Sequence, residues 1–262
     1  SLEYNNAKIQ ILDVPGIVQG AADGVGRGTE VLAAVRSADM VLMLLDVNQL
    51  YHLRIIEREL YKAGLRVNQE KPNIVIRKTM KGGISVASTV PLDFEKKTIV
   101  GILNEFKIMN ADVLIRSPLT EDQLIDSIEK NKKYLPGLVV INKIDTVDSR
   151  RLEEVKIQFP NSVLVSAEQG INIAKLKEEI FRNLRFMRIY LKQPGKPADL
   201  KEPLIMKSGT TIRDVCLKLH KDFADKFKFA RMWGKSAKYD GQKRNNLDHV
   251  LFDKDILELH MR

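Results

Sequence analysis

The stretch LVVINKID, residues 138–145, joins an apolar run that reads as a buried strand to polar residues in the spacing N-K-x-D. A carboxylate can accept hydrogens from a purine's ring N–H and exocyclic amine, an amide can meet the imidazole edge, and a long cationic stem can lie along the ring. Asp145, Asn142 and Lys143 supply those functions in that order. Their position at the carboxyl end of a strand is where open α/β sheets bind ligands.

Working outward, three more apolar runs share this design: Lys8–Val14, Met40–Val47 and Ser162–Ser166. The continuous run in MVLMLLDV (40–47) predicts a parallel strand covered on both faces. Helical spacing predicts helices over Thr29–Arg36, His52–Lys62 and Ile171–Leu184. Strands alternating with helices indicate an α/β doubly wound domain. VSAE, 165–168, closes the fourth run, where the Ala167 N–H can reach a purine carbonyl and Ser166 can shape the turn. DVPG, 13–16, closes the first. There Asp13 would hold Mg²⁺ through a water and the Gly16 N–H would meet a terminal phosphate. Gly20, Gly24, Gly26 and Gly28 follow, giving that loop freedom to move when the phosphate leaves.

From Asp13 to Asn142 is 129 positions, whereas two helices, a strand and their loops need only about 60. The surplus predicts an inserted unit from Leu65, after Gly64 stops a helix, to Lys133. Its predicted parts are strands at Asn73–Arg77, Gly83–Thr89 and Asp112–Arg116, a helix over Phe94–Ile108 and a second helix opened by Thr120. KQPGKPADLKEP, 192–203, is a polar linker punctuated by prolines, so a boundary is expected near residue 190. Beyond it come the strand PLIM, a helix opened by a Thr211/Asp214 capping box, and the strands FKFARMW and DILELHM. That order predicts a β-grasp module.

The chain has 262 residues, 44% of them hydrophobic, enough to bury real cores. No apolar run approaches the roughly 18–20 residues of a membrane span, and there is no signal-peptide pattern, so a cytoplasmic protein that does not engage membranes is expected. A single cysteine, Cys216, excludes an internal disulfide, and the four histidines lack zinc-ligand spacing. Of the net charge of +9, residues 188–262 carry +7. A basic field concentrated there suits a polyanion such as RNA. Arg77, Lys78 and Lys81 beside Gly82–Gly83 form a second basic group. In the C-terminal segment Lys218, Lys221, Lys226, Lys228, Arg231, Lys235 and Lys238 accompany Trp233.

DVPGIV followed by QGAADGVGRG, with NKID, SAE, the insertion and the C-terminal β-grasp, closely resembles the developmentally regulated GTP-binding (DRG) proteins, relatives of the Obg GTPases, over essentially the whole chain. The resemblance implies an α/β Ras-like P-loop GTPase sheet, residues 1–64 and 134–190. It also implies an inserted α+β subdomain, 65–133, like the second domain of ribosomal protein S5, and a TGS domain, 191–262. GTP or GDP would be held by Asp13, Gly16, Asn142, Lys143, Asp145, Ser166 and Ala167, with Mg²⁺ at Asp13. Ribosomes or RNA and a small regulatory protein are the partners it implies.

Two departures qualify that expectation. Only twelve residues precede Asp13, and none forms the G-x-x-x-x-G-K-[ST] loop that cradles phosphates. The sequence therefore reads as truncated before D-x-x-G, with an incomplete sheet. Gly234–Ser236 lacks the leading glycine, since position 229 is Phe229. Ile17 stands where Ras-like enzymes carry a water-orienting glutamine, which implies hydrolysis through other groups, with K⁺ held by a phosphate loop in the intact protein. No catalytic residue is assigned. The alternative expectation is a non-enzymatic RNA- or ribosome-binding adaptor with a vestigial GTPase portion.

Overall fold

The structure, a computed structural model, describes residues 1–14, 20 and 28–262, with backbone alone at 28–30. Tertiary contacts divide the chain into two compact units, one of residues 1–13, 44–49 and 138–262, the other of residues 14–43 and 50–137.

In the first unit, β1 (Leu2–Tyr4) and β2 (Ala7–Ile9) form an antiparallel hairpin. The expected strand over Lys8–Val14 is thus confined to its start. Ile11–Val14 is irregular, with Ile11 and Leu12 half exposed, because apolar residues make a strand only where a neighbouring backbone completes the ladder. The nucleotide-motif sheet has the order β10-β9-β3, built from β3 (Val41–Asp46), β9 (Gly137–Asn142) and β10 (Val163–Leu164). β10 runs parallel to β9, pairing Val163 with Val140. Along β3, Met43 and Leu45 are buried but Leu44 is 62% exposed, so this strand is covered on one face rather than the expected two.

Helix α5 (Ser149–Gln158) precedes β10 and helix α6 (Ile173–Asn183) follows it; Phe181 on α6 makes edge-on contacts with Tyr4 of β1 and Phe186. The C-terminal sheet has the order β12-β11-β15-β13-β14, made by β11 (Phe186–Leu191), β12 (Leu204–Lys207), β13 (Phe227–Trp233), β14 (Gln242–Arg244) and β15 (Asp255–Met261). β11 and β15 are parallel and the other pairs antiparallel, the mixed topology of a β-grasp. Helix α7 (Ile212–Leu219) is opened by Thr211, whose hydroxyl accepts from Asp214 N while the Asp214 carboxylate accepts from Thr211 N, a complete capping box. Its Ile212, Val215 and Cys216 pack with Ile189, Ala230, Met232 and Leu257, all fully buried. The sheet begins at Phe186, earlier than the linker at 192 suggests, because β11 is recruited by its distant partner β15.

The second unit holds α1 (Gly28–Ser37) and α2 (His52–Lys62), the latter ended by Gly64 at φ +79°. Three strands, β5 (Ile74–Lys78), β6 (Ile84–Ser88) and β7 (Ala111–Ile115), form the order β5-β7-β6. Helices α3 (Lys96–Glu105) and α4 (Glu121–Glu129) cover it, burying Ile99, Leu103, Val113, Ile115 and Leu124. Two strands unmarked in the sequence reading, β4 (Leu65–Val67) and β8 (Lys133–Leu135), pair in parallel where the insertion leaves and rejoins the chain. Beside them Arg66 and Asp126 form a buried bidentate ion pair, Nε to Oδ2 2.6 Å and Nη2 to Oδ1 2.8 Å. The guanidinium lies 3.7 Å from the Tyr61 ring centroid.

Candidate guanine-recognition site

β9 delivers Asn142 to its carboxyl end, and the Val47 N–H donates to the Asn142 carbonyl at 3.1 Å. The chain then reverses tightly. Lys143 takes the left-handed conformation, φ +63°, and residues Ile144–Thr146 form one 3₁₀ turn. Ile144 is buried and pins the turn from below, while the Thr146 hydroxyl donates to Lys143 O at 2.8 Å and closes it. A buried apolar residue between two outward polar ones is what the N-K-x-D spacing provides.

β10 brings the second motif alongside. The Ala167 N–H donates to Asn142 Oδ1 at 3.0 Å, so the amide and the backbone donor sit together. Ser166 is buried; its hydroxyl accepts from Gln169 N at 3.1 Å, and its backbone exchanges two hydrogen bonds with Ile171. With its oxygen engaged, Asn142 keeps its two Nδ2–H donors for a ring-nitrogen acceptor. Asp145 is half-buried and its carboxylate has no hydrogen-bond partner among the described residues.

Lys143 Nζ lies 2.8 Å from Asp46 Oδ2 at the end of β3. Asp46 Oδ1 also accepts from Asn48 N at 2.9 Å, and Asn48 Nδ2 reaches Thr146 Oγ1 at 3.4 Å. The Lys143 hydrogen bond, with help from Asn48 N–H, holds the Asp46 carboxyl below the ordinary carboxylate range. In return Asp46 holds the Lys143 ammonium above the ordinary lysine value. Asp46 and Asn48 were missed in the sequence reading. The available signal was their place directly after MVLMLL, matching that of NKID after its own strand.

Asp13 is exposed and makes no hydrogen bond or ion pair among the described residues. Gly16, Ile17, Gly24 and Gly26, named above for the phosphate, the attacking water and the loop, lie outside the described residues. No group of three or more metal-ligating side chains occurs among the described residues. A single exposed carboxylate still fits Mg²⁺, which keeps several waters and needs only one or two protein ligands.

Comparison with known proteins then decides the family. The profile described as 50S ribosome-binding GTPase matches residues 1–78, that of the C-terminal region of the MMR_HSR1 domain 81–186, and that of the TGS domain 187–261. An uncharacterized GTP-binding protein of Methanocaldococcus jannaschii is 51% identical over 98% of this chain and 67% of its own length. Developmentally-regulated GTP-binding protein 1 of Xenopus laevis is 41% identical over 98% of the chain and 71% of its own length. For developmentally-regulated GTP-binding protein 2 of Homo sapiens the identity is 39%, with 98% and 71% covered. The chain belongs to the DRG family of GTP-binding proteins. In this DRG chain the TGS match opens at Met187, inside β11, in keeping with a C-terminal sheet that already includes that strand. No helix of the described residues is long and apolar enough to cross a membrane.

Proposed function

We propose that this DRG chain is the guanine-reading and effector portion of a GTP-dependent switch whose intact form hydrolyses GTP. The observation that carries the reading is the pairing of Asn142 with the Ala167 N–H beside the Asp145 carboxylate, which accepts no hydrogen bond among the described residues. Asp145 would accept the N1–H and exocyclic amine of guanine, a pattern adenine does not offer. Asn142 Nδ2 would donate to the imidazole edge, the Ala167 N–H would turn from Asn142 to the guanine carbonyl, and the Lys143 stem would cover the ring. Ser166 holds that turn in shape. Mg²⁺, when bound, would neutralise phosphate charge, with Asp13 holding one of its waters and Gly16 N–H meeting the γ-phosphate. The proposed division of labour keeps 1–64 and 134–190 for nucleotide, 65–133 as the insertion and 191–262 for partners, in the cytoplasm.

The phosphate-cradling pattern is not among these 262 residues. Charge-assisted hydrogen bonds are worth about 1.5–3 kcal/mol each, so three fewer remove about 5–9 kcal/mol. A micromolar complex has about 8.2 kcal/mol in total. Ligand-observed NMR with GTP and ATP tests both points: weak binding, well above micromolar, selective for GTP. A low-micromolar affinity overturns the weakness, and equal response to ATP overturns the guanine assignment.

The charge of residues 188–262 favours a second reading, compatible with the first, in which the chain is an RNA- or ribosome-binding adaptor. A small regulatory protein acting on it belongs to the same proposal. Binding driven by phosphate contacts falls steeply with salt. RNA affinity measured between low and high salt checks this, and a flat response removes it.

A further inference from the structure

One face of the C-terminal sheet is packed under α7; the other carries rings and cations in a regular pattern. Along β13, Ala230 and Met232 point into the core, so Phe229, Arg231 and Trp233 share the opposite face. Register sets His260 beside Phe229, and sets both Glu258 and Lys243 beside Arg231. The Phe229 and His260 rings stack face to face, centroids 4.2 Å apart and 16° from parallel, and the Lys243 ammonium lies 4.3 Å from the Phe229 centroid. At the other end of the row Lys192 Nζ lies 4.9 Å from the Trp233 ring. Among these side chains the carboxylate is Glu258, almost sealed from solvent and paired with both Lys192 and His260. It neutralises Lys192 beneath while Arg231 and Lys243 remain exposed.

We propose that this open face binds single-stranded RNA, with a base stacked on Phe229 and neighbouring phosphates on Arg231 and Lys243. The proposal deepens the RNA reading given above and rests on it. An exposed ammonium over a ring is held more weakly than a stacked base, so a base displaces Lys243 from Phe229 and the freed ammonium meets phosphate. Phe229 and Trp233 stand four residues apart on one strand, about 13 Å, room for a short run of bases such as sheet platforms stack. A duplex hides its base faces and cannot use the rings. An acidic peptide would satisfy the cations and leave the rings idle.

Trp233 is the chain's single tryptophan and sits on this face, so its fluorescence reports occupancy. The full chain is titrated with a single-stranded RNA of about ten nucleotides, the corresponding RNA duplex, and polyglutamate. Single strands should quench Trp233 and bind more tightly than either competitor. Phe229→Leu should weaken single-strand binding about tenfold or more. Lys243→Gln should weaken it about threefold. Arg231→Gln, at an exposed site, supplies a loss independent of any change in packing at Phe229; thermal unfolding monitors that change. Equal binding of duplex or polyglutamate overturns the proposal. Single-strand binding unchanged in both Phe229→Leu and Arg231→Gln removes this face while leaving the RNA reading intact. Failure to bind any RNA removes both.

Discussion

The C-terminal β-grasp and the guanine-motif sheet spend their sequence differently. The first closes five strands over a helix and fully buries Ile189, Ile212, Val215, Met232 and Leu257 in one core. The second has three parallel strands, one only two residues long, and its distinctive residues lie at the strand ends, held by hydrogen bonds to one another. Core contacts make the first a stable platform. Satisfied polar contacts make the second a shaped site whose residues are free to exchange partners. Stability and recognition should therefore respond to different substitutions.

The largest effect that can break this contrast is at Leu257. Leu257→Ala should destabilise the C-terminal sheet by about 2–5 kcal/mol, read from denaturant unfolding. Asn142→Ala in the same assay should leave the C-terminal transition in place, because Asn142 touches the Ala167 turn and not the β-grasp core. If both variants shift that transition alike, the two regions are not energetically distinct. Next comes Asp145→Asn, which replaces one of two acceptors with a donor. Guanine preference should fall about tenfold or more, seen as loss of GTP-over-ATP selectivity, with the unfolding transition unmoved.

How far the sequence exposes each region follows from the same contrast. FKFARMW and DILELHM coincide with β13 and β15, because each run supplies apolar residues to one buried face even though a register shift between Phe227 and Phe229 breaks the alternation. The Thr120 and Thr211 caps are equally local and are found where the side-chain spacing puts them. β4 and β8 are three residues each, too short to carry a period, and become strands only by meeting across 68 positions. ILDV misleads for the converse reason: its apolarity is local, whereas the ladder a strand needs is not. At the site, N-K-x-D spacing makes Asn142, Lys143 and Asp145 readable together, but the Asp46 partner of Lys143 depends on β3 lying beside β9.

Asp46→Asn probes that hidden pairing. Lys143 would lose its ionic partner, and because this pair is solvated the unfolding midpoint should not move. Nucleotide affinity should change by about threefold, less than for Asp145→Asn, as the Lys143 stem loses its fixed direction over the base. A larger loss than at Asp145 would make Asp46, not the base-facing carboxylate, the centre of the site. On the other side of the contrast, Thr211→Ala should cost about 1 kcal/mol of C-terminal stability, since it leaves the first turn of α7 without its acceptor.

The smallest effect is a slope with pH, and its sign separates the regions again. Asp214 is held below its ordinary value first by the Thr211 N–H and then by the Thr211 hydroxyl. Glu258 is lowered by the Lys192 hydrogen bond, which outweighs the opposing effect of burial. A carboxyl whose folded pKa is depressed contributes stability that is complete above its unfolded value and is lost as pH falls through the folded one. The C-terminal transition should thus be level near neutrality and decline once pH drops below the ordinary carboxylate range. Asp214→Asn should flatten part of that decline, and Glu258→Gln another part, in denaturant titrations repeated down the acid range. Half-buried Asp46 is depressed as well, but its pair belongs to the motif sheet, so Asp46→Asn should leave the C-terminal acid slope untouched. A slope that Asp46→Asn flattens as much as Asp214→Asn would mean that the polar site and the packed platform unfold as one body.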